Sequence, residues 1–189
     1  MGIDYTTLSL AEVRAGLDDV AREAQTTFGR LDARQLNWRP DASQWSVAQC
    51  FEHLITANRL IFQAAEEALT GAQPRSIWRR LPFLLGVFGR MLIRSQAPTA
   101  TKKFSASPKA QPGTSDIAAD IVQRFIDQHR DAVARAQTLD EREASRAIMT
   151  SPFINVITYN VLDAWRLVLA HDCRHVEQAR RVKQALRSE

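Results

Sequence analysis

The chain is poor in cysteine and glycine, has no long uninterrupted apolar run, and contains one long stretch without a single acidic residue. Two cysteines, Cys50 and Cys173, cannot build a disulfide framework. No secretory signal pattern opens the sequence, so a cytoplasmic protein is expected. The seven glycines form no phosphate-cradling fingerprint. The longest apolar run, Leu81 to Ile93, has 13 residues and is broken by Pro82 and Arg90, so no transmembrane span is expected. What is present is an ordinary globular composition, 45% hydrophobic and 24% charged, which argues against wholesale disorder. At 189 residues, one domain covering 1–189 is expected, large enough to bury a core without covalent staples.

The missing acids lie between Ala68 and Ser115. That stretch holds eight basic residues, Arg75, Arg79, Arg80, Arg90, Arg94, Lys102, Lys103 and Lys109, and five of the seven prolines. The rest of the chain has 17 basic and 21 acidic residues, so the overall +4 belongs to this one segment. A basic, apolar segment can meet a membrane surface, an anionic ligand or an acidic partner. Its plainer reading is an irregular connection whose apolar side packs on the core. Nucleic-acid binding is not expected, because the charge is modest and no readout aromatics interleave it.

Elsewhere the pattern is helical. Ser9 and Glu12 form a capping box ahead of Val13, Leu17, Val20, Ala24 and Phe28, which share one face; Gly29 stops the helix. Ser46 and Gln49 form a second box, opening a long helix that runs to Gly71. The segment 71–114 breaks periodicity at its prolines, with a short helix expected around Leu84 to Arg94. Ser115 is read as the cap of a third long helix through Ile121, Phe125 and Ala136. Ser151-Pro152 marks a turn or a local helix start, and a last helix is expected from near Thr158 almost to the end. No run alternates with period two, so no sheet is expected. Four long amphipathic helices imply an all-α four-helix bundle with a long, partly structured connection between the second and third.

The chemistry concentrates in four histidines. His171 and His175 stand four apart in the last helix, so their rings share a face about 5–6 Å apart at Cβ. His53, beside Cys50, Ala57 and Leu60, borders the apolar stripe of the second helix. Three imidazoles from two facing helices can hold Zn²⁺, Ni²⁺ or a related divalent ion with positions left open for chemistry. Taken alone, an H-x-x-x-H pair also occurs as a metal-free surface or core pair. Asp172 stands where a zincin would have Glu, so a protease of that type is not expected. Gln178 can orient a ligand ring or pack between helices, and Arg174 can steer an anionic substrate or pair with a carboxylate. Glu52 points away from His53 and is not assigned as a base. Cys50 and Cys173 fit a thiolate ligand or, more commonly, a small buried hydrophobe. His129 is a remote candidate for a fourth ligand, and Trp38 and Trp45 read as lid and core residues.

A wider likeness organises these residues. Leu36-Asn37-Trp38-Arg39-Pro40, then Trp45-Ser46-Val47, Gln49 and Glu52-His53-Leu54, are similar to the W-x-P…W-S…H-L opening of the second helix in the DinB superfamily. The likeness resumes at Phe104 to Pro108 and closes on Ala170-His171-Asp172-Cys173-Arg174-His175-Val176-Glu177-Gln178, which resembles the family's H-x-x-R-H-x-x-Q ending. The resemblance implies a bundle with a divalent-metal site formed by His53, His171 and His175. It further implies thiol transfer or isomerisation with a low-molecular-weight thiol as cosubstrate, because some members use such thiols, although many have no known reaction. The long basic segment departs from the family pattern and leaves the substrate open. The reading is therefore a metal-dependent enzyme activating a thiol or water, for thiol transfer or hydrolysis, on a small and anionic substrate. The alternative is a non-catalytic bundle that binds a partner or forms a homodimer through 71–114.

Overall fold

Reciprocal capping boxes start three helices. In each, the cap side chain accepts from the third backbone N–H, and the side chain at that third position accepts from the cap's own N–H. Ser9 and Glu12 open α1 (Leu10–Phe28), Asp32 and Gln35 open the short α2 (Ala33–Asn37), and Ser46 and Gln49 open α3 (Val47–Leu69). The computed structural model describes residues 3–72, 82–100, 106–113 and 116–186, with the side chains of 82–86 excepted. Further along come α4 (Pro82–Gln96), α5 (Ile121–Thr138), α6 (Glu141–Arg146) and α7 (Val161–Leu186). Gly71 ends the α3 turn with φ +76°, a left-handed conformation that glycine adopts without strain.

The protein is all-α, and α1, α3, α5 and α7 form the bundle. Both α1 and α3 pack against both α5 and α7, so helices consecutive among the four alternate between adjacent and diagonal places. Phe51 joins three of them: its ring lies 5.2 Å from Phe28 on α1 and 4.9 Å from Phe125 on α5. At the far end Arg180 of α7 pairs with Glu23 and Glu177, and Lys183 donates to the Thr27 carbonyl, supplying cations where α1 and α7 end. The short helix expected in the basic segment is α4, and it lies on α7. The approach is close at Gly89, where any Cβ would collide with the buried Asp163 carboxylate.

Three local expectations are corrected. First, α5 starts at Ile121, later than read, and its cap Asp120 makes no side-chain cap bond. Ile117 is buried ahead of the helix because Asn37 grips its backbone: the Ile117 N–H donates to Asn37 Oδ1 (2.9 Å) and the Ile117 carbonyl accepts from Asn37 Nδ2 (2.8 Å). Ser115, read as the cap, lies outside the described residues. Second, a small antiparallel sheet exists, β1 (Ile148–Thr150) with β2 (Thr158–Asn160), Met149 opposite Tyr159 and both buried. Third, Thr158 is therefore in a strand, and α7 begins at Val161 with Asn160 Oδ1 accepting from the Asp163 N–H (2.7 Å). Ser151-Pro152 begins the loop between the strands, the Ser151 hydroxyl accepting from the N–H groups of Phe153 and Ile154 (3.2 and 3.3 Å). Among the described residues no helix is long and apolar enough to cross a membrane.

Candidate metal centre

The wide apolar face of α3 turns His53 inward, and the face that α7 presents to α3 carries His171 and His175. The three rings converge: His53 Nε2 and His171 Nε2 are 3.1 Å apart, and one ligand atom from each ring lies within 4.8 Å of the others. The His175 ring centroid is 4.7 Å from that of His53 and 4.6 Å from that of His171. Trp45 walls one side, nearly parallel to the His175 ring at 5.7 Å and 4.9 Å from the His53 ring.

His53 is aimed by the end of the basic segment. A short 3₁₀ turn, Pro108–Ala110, brings the Ala110 carbonyl to 2.6 Å from His53 Nδ1. That bond places the ring proton on Nδ1 and leaves the Nε2 lone pair facing the other histidines. The turn is held from α3 itself: Gln49 Nε2 donates to the Gly113 carbonyl (2.8 Å), and Glu52 Oε2 accepts from the Gly113 N–H (2.7 Å). Glu52, set aside as a base, is thus a structural partner of the connection. Lys109 Nζ fastens the other side to the Pro152 carbonyl (2.7 Å).

The electrostatics keep all three rings neutral. Burial is the main cause, lowering the pKa of His53, holding His171 well below the ordinary histidine value and bringing His175 to about 3. His175 and His53 push His171 further down, His53 does the same to His175, and the positive charge of Arg174 lowers both. Neutral imidazoles are the form that binds a divalent cation. The Nδ1 atoms of His171 and His175 are buried without a hydrogen-bond partner, an arrangement that costs free energy unless something else engages the rings. Three nitrogen donors on two rigid helices, with lone pairs crowded together, fit a divalent ion.

The other expected residues fall around this cluster or away from it. Gln178 lies close enough to His175 to favour its protonated form, against the larger effects of burial, His53 and Arg174. Arg174 donates to the Ser95 carbonyl (2.8 Å), tying the end of α4 to α7, in addition to the charge it places beside the histidines. Burial pushes the Cys50 thiol up to about 12 and the Cys173 thiol up to about 11, so neither is a thiolate at neutral pH. His129 is not a fourth member of the cluster. Its Nε2 meets the fully buried Asp172 carboxylate (2.9 Å) and its Nδ1 the Phe125 carbonyl (3.0 Å). Trp38 lines a separate cleft of about 790 Å³ with Arg30, Arg34 and Lys183, and none of the three histidines reaches it. Arg75, Arg79, Arg80, Lys102, Lys103 and Phe104 lie outside the described residues.

Sequence reasoning missed two features: the Ala110 carbonyl and the Asp172 network. A backbone carbonyl has no side-chain signature. Asp172, by contrast, is a carboxylate at a core-facing position of α7, which is a visible signal for a partnered buried group.

The model of the DinB superfamily matches residues 16–179. Among curated proteins and among solved structures, none matches the chain.

Proposed function

The chain belongs to the DinB superfamily, and from that premise we propose that it is a divalent-metal-dependent enzyme whose ion is held by His53, His171 and His175. The observation that carries this reading is the convergence of three neutral imidazoles from α3 and α7 on one point. A Zn²⁺, Ni²⁺ or similar ion bound there supplies Lewis-acid activation of a thiol or of water near neutral pH. The chain's own residues do the rest. The Ala110 carbonyl and Gln178 orient ligand rings, Trp45 shields one side from solvent, and Arg174 adds a positive charge that attracts an anionic substrate. With a low-molecular-weight thiol as cosubstrate the reaction is thiol transfer; with water it is hydrolysis. The fold is read as one domain, 1–189, in which Pro108 to Gly113 complete the surroundings of His53.

The test loads the protein with Zn²⁺ or Ni²⁺ and offers it a small thiol with an electrophile, and separately esters and amides. Turnover is expected in one of these, falling to background in His53→Ala. No turnover with any metal-loaded sample would remove the enzyme reading.

One observation favours a second reading, a homodimer. The outer face of α4 leaves Val87 and Met91 half exposed (50% and 51%) beside the exposed Arg90 and Arg94. If copies meet there, Met91→Asp should lower the sedimentation coefficient to that of a monomer without loss of helical signal. An unchanged coefficient sets this reading aside.

A further inference from the structure

Directly behind the histidines lies a second polar cluster in an apolar core. Asp172 follows His171 in α7 and is fully buried (0% exposed), as is Asn58 of α3 (0%); His129 of α5 is 2% exposed. Asn58 Nδ2 donates to both carboxylate oxygens of Asp172, at 3.0 and 3.1 Å. His129 Nε2 meets Asp172 Oδ2 at 2.9 Å, and the other side of that ring is fixed on the Phe125 carbonyl. The carboxylate thus links α7 to both α3 and α5.

Such a cluster is an expensive way to fill a core. Well-packed apolar residues of similar volume are often as stabilising as a buried charged pair or more so. What an apolar contact does not do is define one register, since it tolerates sliding and rotation. Hydrogen bonds of fixed length do define one. Asn58 follows His53 by five residues, about 7.5 Å along the helix axis. The bond between Asn58 and Asp172 therefore pins the two ligand-bearing helices within about two turns of the place where their histidines meet.

We propose that Asp172, gripped by Asn58 and His129, is a positioning residue that sets the register of α3 against α7 and so brings His53 onto His171 and His175. This rests on the metal reading above and names residues outside the ligand set.

The test is Zn²⁺ affinity, measured by chelator competition, with the absorption spectrum of the Co²⁺-loaded protein as a readout of ligand geometry. Asp172→Asn should weaken Zn²⁺ binding by about 10–100-fold, the usual size of an outer-sphere effect, and alter the Co²⁺ spectrum. Exchanging the pair, Asn58→Asp with Asp172→Asn, rebuilds an amide–carboxylate bond between the same helices. It should bring affinity back to within a few-fold of wild type. Asn58→Ala, which cuts only the link to α3 and leaves Asp172 with His129, covers the case in which Asp172→Asn does not fold; it should weaken binding similarly. Wild-type affinity in Asn58→Ala, or no recovery in a folded exchange variant, overturns the proposal while leaving the metal site standing. A wild-type protein that takes up neither Zn²⁺ nor Co²⁺ overturns both.

Discussion

Acidifying the metal-free protein from pH 7.5 to pH 4 is expected to cost it about 3 kcal/mol through His175 alone. In the unfolded chain a histidine titrates near its ordinary value of 6.5, whereas in the folded protein burial brings His175 down to about 3. Between these values the unfolded state binds a proton that the folded state refuses. The stabilisation is therefore complete above pH 6.5 and is lost as pH falls toward the folded value. His53 and His171 are shifted in the same direction and add to the loss. Against a typical stability of about 5–15 kcal/mol this is a large fraction. Denaturant unfolding at stepped pH checks it. The loss between pH 6.5 and 4.5, above the range where carboxylates dominate, should be greatly reduced in a His53→Ala/His171→Ala/His175→Ala variant. An equal loss in that variant would place the acid sensitivity elsewhere. Saturating Zn²⁺ should move the acid midpoint downward, because an ion that binds only the folded, deprotonated site stabilises it by mass action.

The same burial explains why the site is ready for a cation at neutral pH. Three free imidazoles on the surface would compete with protons near pH 6.5. Here the folding of the bundle has already removed the protons and fixed the rings, so metal binding requires little reorganisation. The cost appears as lower stability of the metal-free protein in acid.

How much of this was legible in the sequence depended on the range of the interaction. The capping boxes at Ser9 and Ser46 are local, complete within one turn, and the structure has both. The spacing of His171 and His175 is local too, and the face shared by His53 with its apolar neighbours follows from helical periodicity. The start of α5 was not legible, because Asn37, 80 residues away, holds the Ile117 backbone and keeps it out of the helix. The strands Ile148–Thr150 and Thr158–Asn160 are three residues each, too short to show alternation. The basic segment was legible as a connection. That its end would place a carbonyl on His53 was not, because the bond to Ala110 spans 57 residues and uses the main chain. The bonds among Asn58, His129 and Asp172 likewise join three helices with no spacing in common.

Replacing both His171 and His175 with alanine is expected to abolish metal binding, and this is the largest effect anticipated for any change to the chain. Structural zinc sites with four ligands are worth about 10–16 kcal/mol near neutral pH, or about 2.5–4 kcal/mol per ligand. Losing two of three ligands should then weaken binding by on the order of 10⁴-fold or more. The remaining His53 is a single imidazole already engaged through its other nitrogen. Elemental mass spectrometry of tag-free protein is the direct measurement. About one equivalent of Zn or Ni is expected in the wild type and none in the double variant. The same variant removes two rings whose Nδ1 atoms are buried without partners, so its metal-free form should not lose stability to match. The comparison thereby separates binding from folding: a folded double variant without metal supports the three-histidine site, whereas one that keeps its equivalent places the ion elsewhere in the chain.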